Sequence, residues 1–343
     1  MLWIQPQPLA TDDDLRTALQ NAIRLEHSTI PPYLTARATL KGSSPSVNFA
    51  KRVIKDIVVE EMLHMTLACN ILNAIGGHPV IADENFVPRY PHELPMGIAG
   101  DLVVHLRRYS KALIEDTFMK IEEPEHIIDI PTIPPPLAAM AEPMTIGQFY
   151  AGISDRITGH AELFTGSNPD LQVSGVFAGK DTSVTDVRSA LAAIVTIVEQ
   201  GEGTPQSPLD LQEDFAHYYA FQQFSKGMRL VKDATLKVSF DSAQPITIDD
   251  TADVIAMVDD PSTVTYDPAD SHAEEAAAAV DAVYSDMLRL LHRAFNGEPE
   301  KASDARDLMQ FEFADAVGNV LKQQLTAGPL AGQFAGPRYR YIS

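Results

Sequence analysis

The sequence predicts a mainly α-helical fold: a four-helix bundle with a long crossover insertion and additional C-terminal helices. Three observations predict it. Two long amphipathic stretches are joined by a turn of a few residues near 41–46, and a second pair surrounds the loop at 203–208. A proline-rich stretch of different texture separates the two pairs. Carboxylates and imidazoles also stand on the apolar stripes of those helices, where packing alone demands apolar side chains.

The first helix opens at Thr11, a capping hydroxyl followed by Asp12, Asp13 and Asp14 in the first turn. Leu15, Leu19, Ala22, Glu26, Thr29 and Tyr33 then recur at spacings of four and three, one stripe of a helix over about 12–41. Pro31 and Pro32 fall inside it and predict a kink, because each lacks a donor and crowds a preceding carbonyl. The second helix, about 47–76, carries Ile54, Ile57, Glu61, His64, Ala68, Ile71 and Ile75. Gly76-Gly77 stops it and Pro79 prevents resumption. So short a turn makes the pair an antiparallel hairpin.

Residues 79–182 read as the crossover insertion. It contains prolines at 88, 91, 95, 131 and 134–136, a possible strand from Leu102 to Leu106, a helix from Ser110 to Glu122 and another from Thr145 to about Phe164. The next core helix, about 183–201, places Val184, Val187, Leu191, Ile194 and Val198 on one stripe. The last, about 209–228, carries Asp214, His217, Phe221, Phe224 and Met228. Residues 1–231 therefore form the bundle. Residues 232–343 form a C-terminal part with short strands such as Leu236 to Phe240, helices near 272–295 and 303–326, and a Gly/Pro-rich tail.

Charge excludes some functions. With 47 acidic and 26 basic residues the formal net charge is −21, which repels phosphate backbones and anionic lipid. Neither nucleic acid nor a membrane is an expected partner, whereas a small-molecule substrate is, and a homo-oligomer is compatible with the pattern. Cys69 stands alone on an apolar helix face, so no intrachain disulfide forms. Met1 to Ala10 shows no basic and apolar leader, and no stretch is long and apolar enough to span a bilayer. The expected location is cytoplasmic.

The polar residues on the stripes carry the chemistry. Glu61 and His64, three apart on one helix, leave the same face; Asp214 and His217 repeat that spacing. Burying an isolated carboxylate costs several kcal/mol, so several inward carboxylates need a shared counter-charge, and a metal ion supplies one. Glu-x-x-His on two helices with a lone Glu on each of two others is the ferritin-like plan for two iron or manganese ions. Register supports it. Glu26 and Glu61 each lie about 15 residues from the first turn, hence about 22 Å from it at roughly 1.5 Å per residue. Glu199 and Asp214 are each a few residues from the second loop. The candidate metal ligands are Glu26, Glu61, His64, Glu199, Asp214 and His217, with Glu202 the alternative to Glu199. Glu60 is a neighbour on the flank, His160 a less central candidate, and His27 a structural or hydrogen-bonding residue. Mixed carboxylate and imidazole without thiolate suits iron, manganese or zinc, and bridging carboxylates suit iron or manganese best. The bend at Pro31-Pro32 is either an ordinary kink or an opening beside the metal for substrate or dioxygen.

The stretch Arg24-Leu25-Glu26-His27-Ser28-Thr29-Ile30-Pro31-Pro32-Tyr33-Leu34 resembles the first helix of the ferritin-like iminophenyl-pyruvate dimer synthase family. Glu60-Glu61-Met62-Leu63-His64-Met65 with Asn73-Ala74-Ile75-Gly76-Gly77, Ile197 to Gly203, and Ala216-His217-Tyr218-Tyr219 are similar to later parts of that pattern. The resemblance spans nearly the whole chain. It implies a metal-dependent oxidative fold that couples imines derived from an aromatic amino acid, with Glu26, Glu61, His64, Glu199 and His217 as ligands. The family usually has Glu where this chain has Asp214, and its pathway members are much longer. The expected function is thus an iron- or manganese-dependent oxidative enzyme acting on a small amino-acid-derived molecule. The alternatives are an iron-handling protein without an organic substrate, and a bundle that has lost its metal.

Overall fold

The computed structural model describes residues 9–128, 130, 144–164, 169–177, 179–204, 206–235 and 237–343. Most of the N-terminal stretch read for a leader, the prolines at 131–136 and Leu236 lie outside the described residues.

Helix α1 spans Asp12–Thr39 and begins as its sequence dictates. The Thr11 hydroxyl accepts from Asp14 N at 3.1 Å while Asp14 accepts from Thr11 N at 2.9 Å. Pro31 and Pro32 lie within it, and the helix runs on through them. The Ser28 carbonyl, which would have taken the missing Pro32 N–H, accepts instead from the buried Tyr90 hydroxyl at 2.7 Å. Helix α2 spans Pro45–Ala74, capped by Ser44 with Pro45 in the first turn. It ends in a Schellman closure, Gly77 N to Leu72 O at 2.9 Å and Gly76 N to Asn73 O at 3.1 Å. Gly76 at φ 74° supplies the left-handed residue that the closure requires.

The crossover is mostly irregular. A two-residue pairing of β1 (His92–Glu93) with β2 (Val103–Val104) replaces the longer strand expected at 102–106. Helix α3 covers 111–121, with a π-helical turn at Ile114–Phe118, and Glu122 caps its C-terminus. Helix α4, Ile146–Ile157, starts on a Thr145–Gln148 capping box and stops earlier than the expected Phe164.

Helix α5 spans Val187–Glu202. Its buried side differs from the predicted stripe: Ala190, Ala193, Ile194, Ile197, Gln200 and Gly201 face inward, and Val187, Leu191 and Val198 are only partly covered. Small residues at 190, 193 and 201 let the backbone approach its neighbours, so the helix settles on that face. Helix α6 is shorter than the expected 209–228. It spans His217–Lys226 and leads into a hairpin of β3 (Met228–Lys232) and β4 (Val238–Pro245).

The C-terminal part supplies α7 (Ser271–Phe295) and α8, which covers 301–320 with a second π-helical turn at Met309–Phe313. The second of these ends six residues before the expected 326. One hydrophobic core joins them to the bundle, running from Leu15 and Ile54 through Ile194 and Phe221 to Tyr284 and Phe313. The tail is held down as well: Arg338 pairs with Asp281 at 2.9 Å and Glu274 at 2.6 Å, and Tyr339 is buried beside Tyr284 and Phe313. Among the described residues no helix is long and apolar enough to cross a membrane.

Candidate metal centre

Four helices, α1, α2, α5 and α6, together with the end of α3, converge on one cluster of buried polar groups. Glu26 enters from α1, Glu61 and His64 from α2, Glu122 from the end of α3 and His217 from the first turn of α6. None of the five is more than 3% exposed. Their donor atoms form two groups that share Glu61: Glu26, Glu61 and His64, and Glu61, Glu122 and His217. In the first, His64 Nδ1 lies 3.5 Å from Glu26 Oε2 and 4.0 Å from Glu61 Oε1. In the second, His217 Nδ1 lies 2.8 Å from Glu61 Oε1 and 3.5 Å from Glu122 Oε2. The imidazoles lie 5.5 Å apart, inclined by 26°.

The surrounding side chains treat the two halves alike. Each carboxylate has one oxygen held by a hydroxyl and the other turned inward. Tyr150 donates to Glu26 Oε1 at 2.6 Å, and Tyr33 to Glu122 Oε1 at 2.5 Å. Thr29 shares its proton between the Glu26 carbonyl at 2.8 Å and Glu61 Oε2 at 2.9 Å. Each histidine likewise has its outer nitrogen engaged. His64 Nε2 meets Gln200 Oε1 at 3.0 Å, and His217 Nε2 meets Glu60 Oε2 at 3.0 Å. Both partners accept, so each Nε2 carries a proton, and a ring without a second proton turns the lone pair of Nδ1 toward the carboxylates.

Lone pairs facing lone pairs require a cation between them. With three ionised carboxylates and two neutral imidazoles the buried cluster would carry three negative charges, which no protein interior sustains unpaired. Protons can fill the gap in part. Burial and the charge of Glu122 raise the Glu61 carboxyl to about pKa 7. Burial opposes charging His64, yet the hydrogen bond to Glu26 and the charges of Glu61 and Glu26 outweigh it, and its pKa is raised. His217 is raised further by Glu122, Glu60 and Glu61, again against burial. Even so, His217 Nδ1 is a buried nitrogen with no aligned hydrogen-bond partner. An orphaned donor atom aimed at two carboxylate oxygens fits a metal ion better than a hydrogen bond.

Of the six sequence-derived candidates the structure brings Glu26, Glu61, His64 and His217 together, and leaves two outside. Asp214 is exposed and precedes α6 rather than riding on it. The Asp210 carboxylate accepts from Gln212 N at 2.9 Å and Asp214 N at 2.8 Å, closing a turn in which Glu213 takes φ 64°. The acid-x-x-His spacing there is therefore not helical. Glu199 lies one position round α5 from the inward face, and its neighbour Gln200 occupies the place expected of it. Glu202 is used elsewhere, accepting from Gly147 N at 2.6 Å where α4 begins. His160 pairs with Glu162 at the surface.

Glu122 takes the acid position that Asp214 and Glu199 leave vacant. Its signal was present in the sequence: Ile114, Phe118 and Glu122 share a stripe at spacings of four, comparable to Ala22, Glu26 and Thr29 at spacings of four and three in α1. Tyr150 and Gln200 carried no such signal, since a buried tyrosine and a glutamine on a helix are ordinary.

A family model described as ferritin-like matches residues 19–226. A ferritin-like protein from Caulobacter vibrioides, known from its crystal structure, is similar over 97% of this chain and 100% of its own. The TM-score is 0.63 and the identity 23%, a likeness of fold. A search of curated proteins finds no match.

Proposed function

The chain belongs to the ferritin-like family, and on that premise we propose that it is an iron- or manganese-dependent oxidative enzyme acting on a small amino-acid-derived molecule. The observation that carries the metal is the pair of carboxylate–histidine groups sharing Glu61, with the Nδ1 of His217 left without an aligned hydrogen-bond partner among the described residues. Glu26, Glu61 and His64 would hold one ion; Glu61, Glu122 and His217 would hold a second. Oxygen and nitrogen donors without thiolate favour iron or manganese. Either metal, when bound, supplies one-electron chemistry toward dioxygen or peroxide.

This chain's own residues do the rest. Tyr33, Tyr150 and Thr29 fix the carboxylates so that one oxygen of each stays inward. Gln200 and Glu60 hold the histidines in the tautomer that presents Nδ1. Burial excludes bulk water from a centre whose charge would otherwise be solvated. Imine coupling, the reaction implied by the resemblance of the Glu26 and Glu61 motifs, is the first to test, with Tyr33 of the Pro31-Pro32-Tyr33 motif set directly on Glu122.

The test is elemental analysis of protein purified without chelators, beside a Glu61→Ala/His64→Ala double variant. About one or two iron or manganese ions per chain, lost in the variant, are expected. Oxygen consumption with aromatic amino-acid-derived imines then separates an enzyme from an iron-handling protein, which would bind metal but turn nothing over. No metal in either protein after anaerobic reconstitution with iron(II) would sink both.

A further inference from the structure

On the reverse face of the α1–α2 hairpin, against α8, lies a groove of 450 Å³, within the range of small-molecule sites. Its floor is apolar: Leu34 from α1, Val58 and Met62 from α2, Phe313 and Val317 from α8. Three cations, Arg37, Lys51 and Lys55, line one end, near the hairpin turn. Among the described residues no Asp or Glu lines it. Among the described residues none of the three cations makes an ion pair. Arg37 Nε donates to Lys51 O at 3.0 Å and Lys51 Nζ to Gly42 O at 3.2 Å, so backbone oxygens rather than carboxylates hold the two side chains there. The Asp56 carboxylate acts on Arg37 and Lys55 without forming an ion pair with either among the described residues, so in a chain of net charge −21 this end keeps a local excess of positive charge.

A separate cavity of about 30 Å³ abuts its other end, and Leu34, Met62 and Met309 line both. Met62, Met65, Met287 and Met309 wall that cavity, and unbranched thioether side chains adapt to an inserted apolar chain. Met309 also opens the π-helical turn of α8, a geometry that recurs at functional sites. From Lys51 to Met62, the α2 residues that line the groove, the helix axis advances about 16 Å. The site is therefore long, narrow, apolar along its length and positive at one end.

We propose that this groove binds a long-chain carboxylate, with its head group at Arg37, Lys51 and Lys55 and its tail along Val58, Met62 and Phe313 toward the methionines. The site is separate from the metal centre. Residues 55, 58, 59 and 62 form the outer face of α2, whereas Glu61 and His64 point inward.

Calorimetric titration of the full chain with dodecanoate and with dodecyltrimethylammonium, the same tail with the opposite charge, tests the proposal. Saturable one-to-one binding of dodecanoate alone is expected, weakened about tenfold or more in an Arg37→Gln/Lys55→Gln variant. Gly318 lines the groove within a helix, and a Cβ there meets nothing within 4 Å. Gly318→Leu should therefore fold with an unreduced Tm yet lose dodecanoate binding. Equal binding of both amphiphiles, or unchanged binding in folded Gly318→Leu, would overturn the proposal. So would a change of oligomeric mass in Gly318→Leu with dodecanoate binding intact, which would assign the groove to a second copy of the chain.

Discussion

At the scale of single residues, the candidate centre is built from pairs: a hydroxyl for each inward carboxylate and an acceptor for each outward imidazole nitrogen. Such partners set ligand orientation, and their loss typically costs 10–100-fold in metal affinity. Gln200→Ala removes the acceptor that fixes His64 and should weaken manganese(II) or iron(II) binding about tenfold or more. Glu199→Ala, one position away, should change it less than about twofold. A competition titration against a chromophoric chelator measures both, and equal losses would return Glu199 to the site. The two residues are adjacent in sequence, and only the rotation of α5 about its axis tells them apart.

Among the elements, α1 holds two prolines in its interior, and a tertiary partner takes up a carbonyl that they free. The Ser28 carbonyl, freed by Pro32, is satisfied by Tyr90, which arrives from the crossover, whereas the Pro31 carbonyl, which neither proline frees, accepts locally from Thr35 Oγ1 at 2.8 Å. Tyr90→Phe removes the first of these and leaves a buried carbonyl unpaired. It should cost about 1–3 kcal/mol, read as a lowered denaturation midpoint with an unchanged slope. An unchanged midpoint would mean that the carbonyl finds another donor. The kink expected from the two prolines rests on local backbone chemistry, whereas the partner of the freed Ser28 carbonyl lies 62 residues away. The start of α6 follows the same logic. Asp214 and His217 carry helical spacing in sequence, but the Asp210 side chain binds the amides of Gln212 and Asp214 into a turn, and the helix begins only at His217.

Over the whole molecule, the C-terminal helices cover the outer face of the hairpin, and one consequence is a buried histidine. His27 is enclosed between α1 and α7, shares a hydrogen bond of 2.7 Å between its Nε2 and the Tyr284 hydroxyl, and burial depresses its pKa from 6.5 to about 3. Above pH 6.5 the ring is neutral in both folded and unfolded chains, and stability is full. As the pH falls below 6.5 the unfolded chain takes up a proton that the folded chain excludes, so stability declines until about pH 3. Between pH 7 and pH 4.5 this one residue should remove about 3 kcal/mol. His27→Gln, which keeps a hydrogen-bonding group for Tyr284, should narrow the difference in unfolding free energy between those pH values by that amount. Parallel pH profiles for the two proteins would show that His27 protonates in place.

Helical periodicity and capping residues by themselves determined the α1–α2 hairpin, its closure at Gly76-Gly77, and the inward placement of Glu26, Glu61 and His64. These follow from 3.6-residue repeats and local backbone hydrogen bonds, which lie within a few residues of one another in the chain. Tertiary structure decided which acid completes the centre. Glu122 lies at the end of a short helix in the crossover, and nothing local levels it with His217. The rotation of α5 was also decided by packing, because small residues let it approach on a face that hydrophobicity alone did not single out. A stripe shows which side of a helix is buried only where that side is plainly apolar. Where the buried side is small or polar, the neighbours it packs against make the choice.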